Sequence, residues 1–322
     1  MMTIYFPIGI YGFWLAIKSR SIFYFSATNP SIPSGGMVGD SKYDILQLID
    51  PSLTPRTIKF NIRTDAKTLI NSVKESEIVY PLVAKPDVGD RGWKVELIKN
   101  EKQLIQYCSR AYFNFLVQEF IDLPIELGVF YYRFPNSDKG SVSSVVVKDT
   151  LKVIGDGFKT IRELMLKNDR AKLQIGRMES MINLDAVLSE DEVVELEPIG
   201  NHNRGTTFLN GNHLINDQLV TTFDAISKKV EGFYYGRYDL RCRSYEDLYA
   251  GNVKILELNG VCAEPAHIYQ PGYPFFKAFG ELLQHWKVMY RISKVNRKRG
   301  VPFMTHKKGF SLIREHLKMR KA

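Results

Sequence analysis

The chain has 322 residues, of which 44% are hydrophobic, 25% charged and 12% aromatic. That composition excludes a disordered, collagenous or low-complexity chain and suggests about two domains with a sizeable core. The net charge of +9 is concentrated at the end: residues 287–322 hold twelve Lys and Arg against Glu315 alone, a surplus of +11, so the rest sums to −2 and a globally basic binding surface is excluded.

Residues 1–17 carry no charge, and Lys18 and Arg20 follow. Pro7, Gly9 and Gly12 weaken a helix there, the run falls short of the about 20 residues of a membrane span, and no basic region precedes it as in a signal peptide. Three fates stay open: burial against the body, an interfacial anchor rich in Trp, Tyr and Phe and assisted by the basic tail, or a true span. Residues 29–36 read as a loop by their Pro, Ser and Gly content.

Further along, residues 41–48 read as a short helix, and Asp65 caps a second over 66–74 with Leu69, Ile70 and Val73 on one face. Strands are expected at 79–85 and 93–98 around a loop containing Gly89 and Gly92, then a helix at 101–110. Strands follow at 115–121, 126–134 and 142–148. Gly155 and Gly157 mark a turn, after which Thr160 and Glu163 stand at capping-box spacing. Residues 216–230 form an amphipathic helix, strands are expected at 235–241 and 253–258, and a helix at 274–289 closes the body. Strands and helices mix without strict alternation, so the fold class is α+β. The three cysteines, Cys108, Cys242 and Cys262, are too scattered for a disulfide framework or a zinc site and fit a reducing compartment.

Chemistry concentrates in three places. Alternation puts Arg237, Asp239 and Arg241 on one face of one strand, and Glu257 and Asn259 on one face of the next. Antiparallel pairing would set Asp239 beside Glu257, where two carboxylates and an amide oxygen suit Mg²⁺; the alternative is a solvated face paired to the arginines. Lys85 ends a buried strand and enters the Gly89 loop, the placement of a phosphate-binding lysine, or of a lysine reaching solvent at a strand end. The strand Leu116–Ile121, then Glu126, offers backbone groups for an adenine edge and an acid for a ribose, or is a plain strand and turn.

In order and spacing, Lys85-Pro86 with its glycine loop, Gln118-Glu119-Phe120-Ile121, Glu126, Arg237-Tyr238-Asp239-Leu240 and Glu257-Leu258-Asn259-Gly260 resemble the ATP-grasp superfamily, D-alanine–D-alanine ligase-like branch, over residues 40–285. The resemblance implies two α+β subdomains clasping ATP. It implies nucleotide contacts from Lys42, Lys85, Gly89, Gln118, Glu119, Ile121, Glu126 and Lys159, and a metal, Mg²⁺ or Mn²⁺, on Asp239, Glu257 and Asn259. Arg237 resembles the arginine that stabilises the charged intermediate, and Arg204 is a plausible clamp on phosphoryl oxygens. Glu264 and His267 fall where the family places substrate contacts, and His202 reads as a packing or surface histidine. The implied activity is ATP-dependent carboxylate–amine ligation through an acyl phosphate, in the cytoplasm.

The expected organisation is an apolar segment at 1–40, an ATP-grasp domain at 41–286 and a basic tail at 287–322. A full N-terminal Rossmann-like domain, usual in the family, is not expected. The alternative reading is a membrane-peripheral ATP-binding or scaffold protein without ligase turnover. Nucleic-acid binding through the short basic runs at 296–299 and 307–308 is disfavoured, because aromatic residues between them are sparse.

Overall fold

The computed structural model describes residues 2–90, 92–179, 181–200 and 202–321. In chain order the elements are α1 (Met2–Ser19), α2 (Lys42–Leu46), β1 (Thr57–Phe60), α3 (Ala66–Glu75), β2 (Leu82–Pro86), β3 (Glu96–Ile98), α4 (Glu101–Arg110), β4 (Phe115–Glu119), β5 (Ile125–Tyr132) and β6 (Ser141–Asp149). There follow β7 (Leu151–Ile154), α5 (Ile161–Leu166), α6 (Ile175–Met178), β8 (Val193–Glu197), β9 (Thr207–Asn210), α7 (Asp217–Lys229), β10 (Tyr235–Cys242), α8 (Tyr245–Ala250), β11 (Lys254–Asn259), α9 (Phe275–Lys298) and α10 (His306–Lys321). The class is α+β, as the sequence suggests.

The strands form three antiparallel sheets, in the orders β1-β4-β2-β3, β11-β10-β5-β6-β9 and β7-β8. The four-stranded sheet packs on α3 and α4, whose Leu69, Val73, Leu104 and Tyr107 meet Leu82, Ala84 and Phe115. The five-stranded sheet packs on α7 and α8 through Leu219, Phe223 and Leu248 against Leu127, Tyr238 and Ile255. The β7-β8 pair has a small core of its own with α5 and α6, containing Ile161, Met165 and Met178. Local signals start the helices where the sequence puts them. The side chains of Asp65, Asn100 and Asn216 each accept from a backbone N–H at 2.9–3.0 Å, and Thr160 and Glu163 close a capping box. Such a cap contributes about 1 kcal/mol.

The two ends of the chain differ from the expected pattern. Residues 2–19 form a continuous helix despite Pro7, because tertiary packing outweighs propensity. Ile4, Ile8, Leu15 and Ala16 of α1 face Leu282, Val288 and Met289 of α9 and their neighbours. Gly12 permits this approach: a Cβ there would meet the Trp286 ring at 2.8 Å. The segment is thus buried along one side. Among the described residues no helix is long and apolar enough to cross a membrane. Nor does α9 stop at Met289. It runs to Lys298 because Ser293 and Asn296 bond the Tyr24 and Ala27 carbonyls at 2.5 and 2.9 Å, and basic residues are good helix formers. The expected boundary at 286–287 therefore falls inside a helix. The basic segment beyond Gly300 is largely helical as well: Met319 of α10 packs on the four-stranded sheet, and Arg320 pairs with Asp90 at 2.9 Å.

Candidate active site

The four- and five-stranded sheets meet where Lys85, at the end of β2, donates to the Leu256 carbonyl of β11 at 3.3 Å. Around that junction the structure gathers eight charged side chains.

The ladder between β10 and β11 pairs Asp239 with Glu257 and Arg237 with Asn259, the register that alternation suggests. On its other side β10 pairs with β5, which sets Asp239 opposite Gly128 and Arg241 opposite Glu126. The Arg237 guanidinium forks onto Asp239 at 2.9 and 3.0 Å, and its third nitrogen donates to the Glu264 carbonyl at 3.2 Å. This pair lies flat on β5 because residue 128 is glycine: a Cβ would stand 3.1 Å from both Arg237 Cδ and Asp239 Oδ1, and nearer still to Val146. Asn259 donates its amide nitrogen to Asp239 Oδ2 at 2.9 Å, which leaves its carbonyl oxygen as the end available to a cation.

Burial alone would raise the Asp239 carboxyl, but Arg237 and Lys148 hold it below the usual carboxylate range. Glu257 follows the same balance: burial raises it, while Lys42 and Lys85 bring it down to about 2. Both are carboxylates at neutral pH, the state a hard cation requires.

Lys42 is placed by a short-range scaffold. Ser41 caps α2, and the Lys42 backbone N–H donates to the Asp87 carbonyl at 2.9 Å. The buried Asp87 carboxylate accepts from Ser41 Oγ and the Tyr43 N–H at 2.8 and 3.0 Å and pairs with Lys59 at 2.7 Å. So held, Lys42 Nζ reaches Glu257 at 2.8 Å and also donates to the Gly89 carbonyl.

Lys85 is different. Its Nζ is buried, bonded to Gln118 Oε1 at 2.8 Å and to the Leu256 carbonyl, with no carboxylate in its first contacts. Burial, opposed by Glu257 and reinforced by Lys42, lowers it to about 8. Gln118 in turn donates to Thr57 Oγ1 at 3.0 Å, so its side chain orients Lys85.

Lys148, to which the sequence assigned no role, and Arg241, which alternation puts on the Asp239 face, complete the cluster. Lys148, at the end of β6, sits 3.0 Å from Glu126 and 3.4 Å from Asp239. Arg241 bonds Glu126 at 2.8 and 3.0 Å and the Ile121 carbonyl at 2.9 Å. Lys148 ends an apolar strand just as Lys85 does, a signal readable in the sequence. Five cations (Lys42, Lys85, Lys148, Arg237, Arg241) thus face three carboxylates (Glu126, Asp239, Glu257), leaving a surplus of two positive charges. That balance fits a bound polyphosphate whose own charge is partly met by a divalent cation. Among the described residues no group of three or more His, Cys, Asp or Glu is placed to hold a metal, so a metal here would need Asn259 beside the two carboxylates.

The remaining expected residues are placed as follows. The Glu119 N–H donates to the Arg56 carbonyl at 2.9 Å, so the β4 end is partly engaged with the chain entering β1. Arg204 does not reach Glu126, Asp239 or Glu257: it pairs with the buried Glu197 at 3.6 Å and bonds the Val95 and Gly92 carbonyls, the latter at 3.2 Å, tying its loop to the glycine loop. Lys159 stands apart, paired with Asp156 at 2.5 Å at the turn before α5. His267 is fully buried between Ser144 Oγ at 2.7 Å and the Tyr273 hydroxyl at 3.2 Å, and burial lowers it to about 4, so it is a neutral packing group. His202 lies against Phe208 and Tyr269. The Glu264 carboxylate accepts from the hydroxyls of Tyr5, at 2.9 Å, and Tyr269, which fastens α1 to the rim of the site. Arg91 and Asn201, within two of the motif loops, lie outside the described residues.

No family model matches the chain, and no curated protein does. Among solved structures it is similar to a bifunctional glutathione synthetase from Pasteurella multocida (16% identity, TM-score 0.38), over 78% of this chain and 38% of that one. It is also similar to the VanG D-Ala:D-Ser ligase from Enterococcus faecalis (14%, TM-score 0.45), over 84% and 64%. A third is the D-alanine–D-alanine ligase from Bacillus anthracis complexed with ATP (13%, TM-score 0.44), over 85% and 70%. The chain spans well under half the length of the first of these structures and just under two thirds of the second.

Proposed function

We propose that this chain is an ATP-dependent carboxylate–amine ligase. The observation that carries the reading is Lys85: a buried ammonium with no carboxylate bonded to it, beside a pair of ionised carboxylates and within a surplus of two positive charges. A protein gains nothing in stability from such a group and retains it to meet an anion.

In this reading Lys42, Lys85 and Lys148 receive the phosphates, and the backbone of Glu119 and Ile121 meets the adenine. Glu126, already paired with Arg241 and Lys148, stands on the ribose side. Asp239, Glu257 and the Asn259 carbonyl would hold Mg²⁺ or Mn²⁺. When bound, the metal would neutralise phosphate oxygens and raise the electrophilicity of the γ-phosphorus.

The chemistry has two displacements. A substrate carboxylate oxygen attacks the γ-phosphorus and the bond to the ADP oxygen breaks, giving an acyl phosphate. An amine nitrogen then attacks the acyl carbon, the carbon–oxygen bond to phosphate breaks, and the amine loses a proton. Arg237, its guanidinium oriented by the forked pair with Asp239, supports the negative charge that develops on the acyl oxygen. Arg204, which bonds the Gly92 carbonyl of the glycine loop from its own turn, would offset charge on the transferring phosphoryl group.

The test is release of ADP and phosphate from Mg·ATP with pooled D- and L-amino acids, dipeptides and hydroxy acids. Stimulated release that disappears in Asp239→Asn supports the ligase. Release that is unchanged in Asp239→Asn rules it out.

A further inference from the structure

We infer that the outer face of α1, together with the basic residues at its C-terminal end, is a docking surface for an anionic lipid membrane. The helix is apolar on all sides, a pattern proper to a helix covered all round. Only half of it is covered. Ile4, Ile8, Leu15 and Ala16 pack on the body, whereas Phe6, Ile10, Phe13, Trp14 and Ile17 form a continuous stripe on the opposite side. Phe6 is 76% exposed, Phe13 64% and Ile17 61%. Isolated exposed apolar residues need no explanation, but an unbroken stripe of five along one helix marks a surface built to be covered.

Charge selects what covers it. Lys18 and Arg20 close α1, and the Lys18 ammonium lies 4.8 Å from the Trp14 ring centroid and 5.8 Å from that of Tyr290 on α9. Lys294 lies 5.9 Å from the same Tyr290 ring, and helical spacing puts Lys287 on the same side of α9. The stripe therefore runs into a cluster of cations. Two copies meeting antiparallel through this face by two-fold symmetry would set each cation cluster against the uncharged N-terminal half of the partner's stripe, burying it with no anion, and two copies meeting parallel would press the clusters together; both disfavour a dimer. A nucleic acid would meet the cations and leave the stripe in water. An anionic lipid surface satisfies both, with aromatic side chains at the depth of the headgroups and lysines against phosphates. The inner face, packed on α9, keeps the helix on the surface instead of across the bilayer.

This inference does not rest on the ligase reading, because vesicle binding is measured without nucleotide. Full-length protein is sedimented with vesicles of phosphatidylcholine and with vesicles of phosphatidylcholine and phosphatidylglycerol. Binding is expected to the second and not to the first. The stripe residues bear little packing, so Phe6→Ser with Phe13→Ser keeps the fold, checked by circular dichroism, and weakens vesicle binding at least about tenfold. Lys18→Gln with Lys287→Gln weakens it about fivefold per charge, an effect that vanishes in high salt. Absence of binding to both vesicles overturns the inference. So does equal binding to both, or a dimer in sedimentation velocity that the Phe6/Phe13 variant converts to monomer.

Discussion

Replacing Lys85 by methionine separates stability from nucleotide binding. Burial lowers this ammonium from 10.5 to about 8. At about 1.4 kcal/mol per pH unit, holding it charged in the folded protein costs about 3 kcal/mol at neutral pH. Methionine keeps most of the side-chain volume and removes that cost, but leaves Gln118 Oε1 and the Leu256 carbonyl without their donor, a loss of about 1 kcal/mol each. Lys85→Met is therefore expected to be more stable than the parent by about 1 kcal/mol at pH 7. The sign then changes with pH. Between about 8 and 10.5 the unfolded lysine holds a proton that the folded one has lost, so parent stability rises with pH through that window while the variant lacks this contribution. The parent overtakes the variant in urea titrations near pH 9. Isothermal titration with Mg·ATP at pH 7 should show affinity reduced on the order of 100-fold in the variant, the worth of a buried charge-assisted bond to phosphate. A variant less stable than the parent by the same amount at every pH would refute the reasoning, because it would mean that Lys85 is not a buried charge awaiting an anion.

Gly128→Ala should destabilise by about 1–3 kcal/mol through overpacking against Val146, and should impair turnover more than ATP affinity, because the Arg237–Asp239 pair must shift; urea midpoints and steady-state kinetics measure both. Asp87→Asn should weaken Mg·ATP binding several-fold without abolishing turnover, because it loosens the α2 turn that aims Lys42, and titration calorimetry reads it. Acid should destabilise the fold early. His267, lowered by burial to about 4, is neutral when folded and charged when unfolded below about 6.5, so its stabilising contribution falls away as pH drops from 6.5 towards 4. His285, lowered by burial to about 3, adds to the same slope, and His267→Gln should flatten it in urea titrations.

Much of the carboxylate centre could be read from sequence because it depends on short-range geometry. A period of two sets the faces of β10 and β11, and two strands so close in sequence pair with their carboxylates opposed. Helix caps were legible for the same reason, since the capping side chain and the backbone N–H that donates to it lie within three residues. The cluster around Glu126 was not. Lys148, Glu126 and Arg241 meet only because β5 lies between β6 and β10, a pairing of strands over a hundred residues apart that no local pattern encodes. The resemblance counts Gln118 among the nucleotide contacts, and no local pattern shows that its side chain is engaged with Lys85 and Thr57. Lys159 follows a glycine turn as a phosphate lysine would, but the turn belongs to the separate β7-β8 unit, and Asp156 takes the charge. In α1, Pro7 and the glycines argue against a helix, and packing on α9, with the Trp286 ring lying against Gly12, explains why one forms.

The cations of the site are already bound to oxygen. Lys42 holds the Gly89 carbonyl and Glu257, Lys85 holds Gln118 and the Leu256 carbonyl, and Arg237 holds Asp239 and the Glu264 carbonyl. An incoming phosphate thus exchanges one oxygen partner for another, and the number of hydrogen bonds barely changes. The calorimetric signature of such an exchange is a small enthalpy, with the driving force in released water and in the attraction between a polyanion and the two surplus positive charges. On the proposed reading, recognition would be carried by the arrangement of charge more than by the making of new bonds, and raising the ionic strength would slow nucleotide capture more than it alters the folded state.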